Sequence, residues 1–208
     1  MGKKQTENSK RNYRTSHLSK DEKEFAEVLY KIGIDFNACT PSEAVEWHRE
    51  VAKKGWAPAQ YNLGCCYKDG IGVDKDPKEA VKWFNKAAEQ GLREAQCRLG
   101  GCYEKGEGVK QDKKEAVNWY RKAAGLNEAN AQFNLGCCYA EGEGVQQDKL
   151  KAAKWFYEAA KRGNKSAKDA LFRLLNNVDD DDEGETVQVL SEPPLLGMLP
   201  CPTGIFKN

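Results

Sequence analysis

Eight cysteines and two histidines are the residues of this 208-residue chain with the most reactive side chains. Thiolates and imidazoles are the usual ligands of structural zinc and the usual partners in nucleophilic catalysis. Cys65-Cys66 and Cys137-Cys138 stand as adjacent pairs. On a helix, consecutive side chains point about 100° apart, so neither pair converges on one ion as a Cys-x-x-Cys loop does. Only His17 and His48 are available to complete a ligand set, and both lie outside the repeated segments that carry most of the thiols. The same shortage leaves a Cys-His nucleophile without its base. No catalytic residue, metal or cofactor is therefore expected.

Cys66, Cys102 and Cys138 are 36 residues apart, and so is everything around them. The stretches AQYNLGCCYKDGIGVDKDPKEAVKWFNKAA, AQCRLGGCYEKGEGVKQDKKEAVNWYRKAA and AQFNLGCCYAEGEGVQQDKLKAAKWFYEAA begin at Ala59, Ala95 and Ala131. A half-unit, SEAVEWHREVAKKG, precedes them, with Trp47 one period before Trp83, Trp119 and Trp155. Such a period marks a repeat architecture.

Within each unit, apolar and small residues recur at helical spacing. Ala59, Leu63, Cys66 and Tyr67 mark a first helix, and Ala80, Trp83, Phe84, Ala87 and Ala88 a second. Gly70 and Gly72, with Gly106, Gly108, Gly142 and Gly144, end the first helices, and Val73, Val109 and Val145 are expected to pin the loops to the core. Asp76, Asp112 and Asp148 stand where a carboxylate caps the second helix, with Pro77 at a first helical position. Thr40, Pro41 and Glu43 make the same start for the half-unit. Gly55, Gly91, Asn127 and Gly163 close the second helices. A single helix pair cannot bury its apolar face, whereas stacked pairs bury a continuous core and leave an extended concave surface.

The pattern A-x-x-x-L-G-x-x-Y-x-x-G-x-G-V-x-x-D-x-x-x-A-x-x-W-x-x-x-A-A resembles the Sel1-like repeat, a relative of the tetratricopeptide repeat with a longer interhelical loop. The likeness runs from about Pro41 to Leu175. It implies an all-α, right-handed α-solenoid of antiparallel helix pairs that serves as a non-catalytic scaffold or adaptor. It further implies that the first helices face the groove. With the Leu-Gly pair as register, the groove residues are Tyr61, Asn62, Cys65, Lys68 and Asp69 in the first unit. In the second they are Cys97, Arg98, Gly101, Glu104 and Lys105, and in the third Phe133, Asn134, Cys137, Ala140 and Glu141. These vary between units while the packing positions do not. A neutral solvated face varies in the same way, but an extended concave surface favours recognition of a peptide or helix from a partner protein.

Some cysteine-rich relatives carry a disulfide joining the two helices of each repeat, and β-lactamase-type hydrolysis has been proposed for them. Here Ala87-Ala88, Ala123-Ala124 and Ala159-Ala160 stand in the second helices, so that bridging partner is missing, and no Ser-x-x-Lys motif occurs. Cysteines of neighbouring repeats would lie roughly 10 Å apart, beyond the roughly 7 Å that a disulfide spans. Free thiols in a reducing compartment are expected, with Cys65 and Cys137 the more exposed. An exported effector or surface-binding protein is a third reading that the residues leave open.

The remaining chain frames the repeats. Residues 1–18 form a basic arm with Lys3, Lys4, Lys10, Arg11 and Arg14 opposed only by Glu7, expected to be disordered. Ser19 to Ile32 reads as an amphipathic capping helix, placed at 19–33. The half-repeat covers 41–55, the full repeats 56–91, 92–127 and 128–163, and a last capping helix 165–176. Residues 178–208 make an acidic, then proline-containing tail, either merely flexible or carrying a docking motif between Val187 and Phe206. With 33 basic and 32 acidic residues, a net charge of +1 gives no general attraction to nucleic acid or anionic membrane. No apolar run approaches the roughly 18 residues of a spanning helix. A cytoplasmic monomer with a protein partner is the expectation.

Overall fold

The computed structural model describes residues 40–176. The basic arm 1–18, the capping helix 19–33 and the tail 178–208 lie outside the described residues. Between Thr40 and Asn176 the chain forms eight α-helices: α1 (Pro41–Lys53), α2 (Ala57–Asp69), α3 (Pro77–Glu89), α4 (Arg93–Lys105), α5 (Lys113–Gly125), α6 (Ala129–Glu141), α7 (Lys149–Lys161) and α8 (Lys165–Asn176). No strand occurs among the described residues. Each helix packs chiefly on its neighbours in the chain, which makes an α-solenoid of helix pairs, α2/α3, α4/α5 and α6/α7, between α1 and α8.

Local chemistry sets the boundaries. Thr40 opens α1 with a capping box: its side chain accepts from Glu43 N, while the Glu43 carboxylate accepts from Thr40 N. Asp76 and Asp112 each accept two backbone N–H groups at 3.0 Å, and Asp148 accepts from Lys151 N at 2.8 Å. Such caps each contribute about 1 kcal/mol. The first helices end in left-handed glycines, Gly70, Gly106 and Gly142, whose N–H groups return to the carbonyls of Cys66, Cys102 and Cys138. Gly108 shows why the loop tolerates nothing larger. Its φ is +75°, and a Cβ there would sit 2.1 Å from the Pro77 carbonyl oxygen on the preceding unit.

The core is built between units as much as within them. Phe84, Tyr120 and Phe156 occupy equivalent buried positions, each ring lying beneath the glycine of a Leu-Gly pair, Gly64, Gly100 or Gly136. Val73 packs half-buried against Leu63 and Trp83 and their neighbours, Val109 against the cluster around Phe84, and Val145 against that around Tyr120. Three buried glutamines, absent from the sequence reading, join successive units. Gln60, Gln96 and Gln132 donate their side-chain amides to the carbonyls of Ala52, Ala88 and Ala124, at the ends of the preceding helices. In the first unit Gln90 donates in turn to Gln60 Oε1 at 2.7 Å. The carbonyl oxygens of Gln96 and Gln132 accept nothing among the described residues.

Candidate binding groove

The first helices α2, α4 and α6 line a common groove holding a cavity of about 550 Å³ centred on α4. Of the residues expected there, it brings together Tyr61, Lys68, Cys97, Arg98, Gly101, Glu104, Lys105 and Asn134. The other expected residues stand elsewhere. Asp69 is exposed and pairs with Lys68 at 3.6 Å. Glu141 is exposed, and Asn62 and Ala140 are half-buried outside the cavity. Cys65 packs on the core around Phe84, and Phe133 and Cys137 on that around Phe156. Their neighbours in the second helices hold them: Tyr61 tilts against Phe84 at 5.8 Å and Phe133 against Phe156 at 5.7 Å, centroid to centroid.

The central unit departs from this arrangement. Where its neighbours carry an aromatic residue and a cysteine, it has Cys97 and Gly101, which leave space above the second helix. Tyr120 reaches into that space from α5, and its hydroxyl donates to Glu104 Oε2 at 2.9 Å. Burial, reinforced by the Glu104 carboxylate, pushes the Tyr120 pKa far above the ordinary phenol value. Burial, with Glu128 beside it, likewise raises the Cys97 thiol. Arg98 donates to the Tyr61 hydroxyl at 3.5 Å, spanning the first and second units. Tyr120 and Glu128 line the cavity although neither was expected there. The signal lay in the repeats themselves: tyrosine replaces phenylalanine at position 120 in the unit that also loses bulk at 97 and 101.

The thiols do not make a reactive centre. All six described cysteines are free. Burial raises every one of them, Cys102 and Cys137 to about 11 and Cys138 to about 12, so they stay protonated at neutral pH. Cys102 and Cys138 are buried, whereas Cys66, expected to match them, is half-buried. The expected contrast with Cys65 is thus absent in the first unit, where both thiols are half-buried. His48, on α1 outside the groove, stacks edge-on with Trp47, and burial lowers its pKa to about 4. Among the described residues no three His, Cys, Asp or Glu side chains are grouped to hold a metal ion, and no helix is long and apolar enough to cross a membrane.

Comparison with known proteins agrees with this architecture. The Sel1 repeat model matches residues 57–92, 93–128 and 129–164, just over half the chain. Each matched unit takes in one helix pair. A search of curated proteins returned no significant match. Among solved structures, a protective antigen of uropathogenic Escherichia coli with an SLR fold is 41% identical over 64% of this chain and 28% of its own, with a TM-score of 0.63. A Sel1 repeat protein from Oxalobacter formigenes is 38% identical over 64% of this chain and 54% of its own, with a TM-score of 0.61. The match therefore spans less than two thirds of either bacterial protein. Helicobacter pylori cysteine-rich protein B is 26% identical over 64% of this chain and 98% of its own, with a TM-score of 0.53. Sel1-repeat proteins generally mediate protein–protein interaction, and the fold is typically a non-catalytic scaffold. With three successive repeat matches lying on three successive helix pairs, the chain belongs to the Sel1 repeat family.

Proposed function

We propose that this chain is a non-catalytic adaptor that holds a peptide or helix of a partner protein in the groove lined by α2, α4 and α6. One observation carries the reading: the first helices of three successive units converge on one cavity, and its side chains differ from unit to unit beside repeated packing residues such as Leu63, Leu99 and Leu135. Arg98, Lys105 and Asn134 offer charged and hydrogen-bonding groups to an incoming chain. The free, protonated thiols suit a reducing cytoplasm, and we read the chain as a monomer that engages neither nucleic acid nor membrane.

The test is affinity capture from the native cell extract with the wild-type chain and with Arg98→Glu, Lys105→Glu and Asn134→Arg combined. These residues contribute little to the core, so circular dichroism should show equal helicity for both chains. A partner retained by the wild type and lost by the variant supports the groove as the working surface. Equal capture by both moves binding to another face.

A further inference from the structure

We propose that the pocket above Tyr120 in the central repeat receives one lysine or arginine side chain of the bound partner; this rests on the groove being the partner-binding surface.

Space is the first ground. Positions 61 and 65 carry Tyr61 and Cys65, and positions 133 and 137 carry Phe133 and Cys137, whereas the central unit has Cys97 and Gly101. Tyr61 and Phe133 lean over Phe84 and Phe156, whereas at position 97 the smaller Cys97 packs on the core around Tyr120. Cys97, Gly101 and Tyr120 all belong to the lining of the groove's cavity of about 550 Å³.

Charge is the second. Glu104 replaces the Lys68 and Ala140 of its neighbours, and Glu128, at the start of the next unit, stands where Leu92 and Asn164 stand elsewhere, so both carboxylates are particular to this cavity. Both line the cavity together with Cys97. Neither forms an ion pair with a described lysine or arginine. Lys68 and Arg98 share the cavity lining, but each has another partner: Lys68 pairs with Asp69, and Arg98 donates to the Tyr61 hydroxyl. Lys105 adjoins Glu104 in sequence, yet consecutive helical side chains diverge by about 100°.

Acceptors are the third. Tyr120 directs its only hydrogen to Glu104 Oε2, which holds the carboxylate at the cavity with its remaining lone pairs as acceptor capacity. Glu128 accepts from Ala131 N and from Asn130 Nδ2, which fixes its carboxylate at the start of α6. An ammonium has three donors and no acceptor, and a guanidinium five donors, so either matches a pocket of fixed acceptors. Four positions of the central repeat, 97, 101, 104 and 120, and the first residue of the next, 128, depart together from their counterparts to create it.

The probe is a displayed library of random dodecapeptides selected on the full chain, followed by synthesis of the best binders with each cationic residue also replaced by norleucine. Affinities are measured against the wild type, Glu104→Gln and Gly101→Cys. Glutamine keeps an acceptor for the Tyr120 hydroxyl. Cysteine restores the residue of the flanking units, and its Cβ would meet Tyr120 Oη at an ordinary 3.6 Å. Both variants should therefore fold, as thermal melting would verify. The expected result is one fixed lysine or arginine whose norleucine replacement weakens wild-type binding at least tenfold but Glu104→Gln binding less than twofold. Gly101→Cys should weaken the cationic peptide by about tenfold. Peptides that are lost on Arg98→Glu with Asn134→Arg, yet show no cationic position coupled to Glu104, overturn the pocket and leave the groove standing. Peptides indifferent to every groove substitution, or a library yielding no binder, count against both.

Discussion

Tyr120 on α5 lies beneath Gly100 on α4 so closely that a Cβ on the glycine would stand 2.6 Å from the ring, and its hydroxyl passes on to Glu104 at 2.9 Å. Packing and polarity at this point are separable. Tyr120→Phe keeps the ring, as Phe84 and Phe156 do in the flanking units, and loses only the bond to a carboxylate. The expected cost is about 1.5 kcal/mol in urea unfolding. Tyr120→Ala removes a fully buried ring and should cost roughly 3–5 kcal/mol. Equal losses in the two variants would show that the hydrogen bond, not the ring, holds the unit.

Adjacent glycines in α4 should respond in opposite directions. At Gly100 an added methyl meets the Tyr120 ring, and overpacking of that kind costs about 1–3 kcal/mol. At Gly101 the nearest atom is Tyr120 Oη at 3.6 Å, so Gly101→Ala gains helix propensity without a clash. Stability should rise by roughly 0.5–1 kcal/mol. Thermal melting of the two single variants checks the contrast, and destabilisation by both would contradict the spacing described for Gly101.

Leu126 is exposed at the position where the first unit has Gln90, and Gln96 below it has a buried carbonyl oxygen with no partner among the described residues. Leu126→Gln should recreate the bond that Gln90 makes to Gln60 and stabilise the protein by about 1 kcal/mol. The same substitution in a Gln96→Leu background should bring no gain. A gain of equal size there would trace the effect to removing an exposed leucine from water instead.

His48 ties stability to pH. Burial lowers its pKa from 6.5 to about 4, so the unfolded chain takes up a proton before the folded one does. The stability it confers is complete above pH 6.5 and is lost as pH falls toward 4, by up to roughly 3 kcal/mol. Urea midpoints of the wild type should therefore fall more steeply across that interval than those of His48→Phe. Parallel profiles would mean that His48 protonates in the folded protein as readily as in the unfolded chain.

The repeat period, the helix pairing and the helix ends were legible in the residues, because each depends on local rules that recur every 36 positions. Asp112 caps α5 since a carboxylate at that point reaches two N–H groups of its own first turn. Asn127 adopts φ +62° where Gly55, Gly91 and Gly163 stand in the other units, as its place in the repeat suggested. Which first-helix residues stand over open space was decided only by the packing of one helix on the next. Phe133 and Cys137 share a register with Cys97 and Gly101, yet they pack on the ring of Phe156 and stay out of the cavity, while the smaller pair lines it together with the buried Tyr120. A periodic pattern fixes the direction in which a side chain leaves its own helix. Whether a neighbouring helix fills the space it enters depends on the volumes of both partners, and that is how a second-helix tyrosine came to line a groove assigned to first helices.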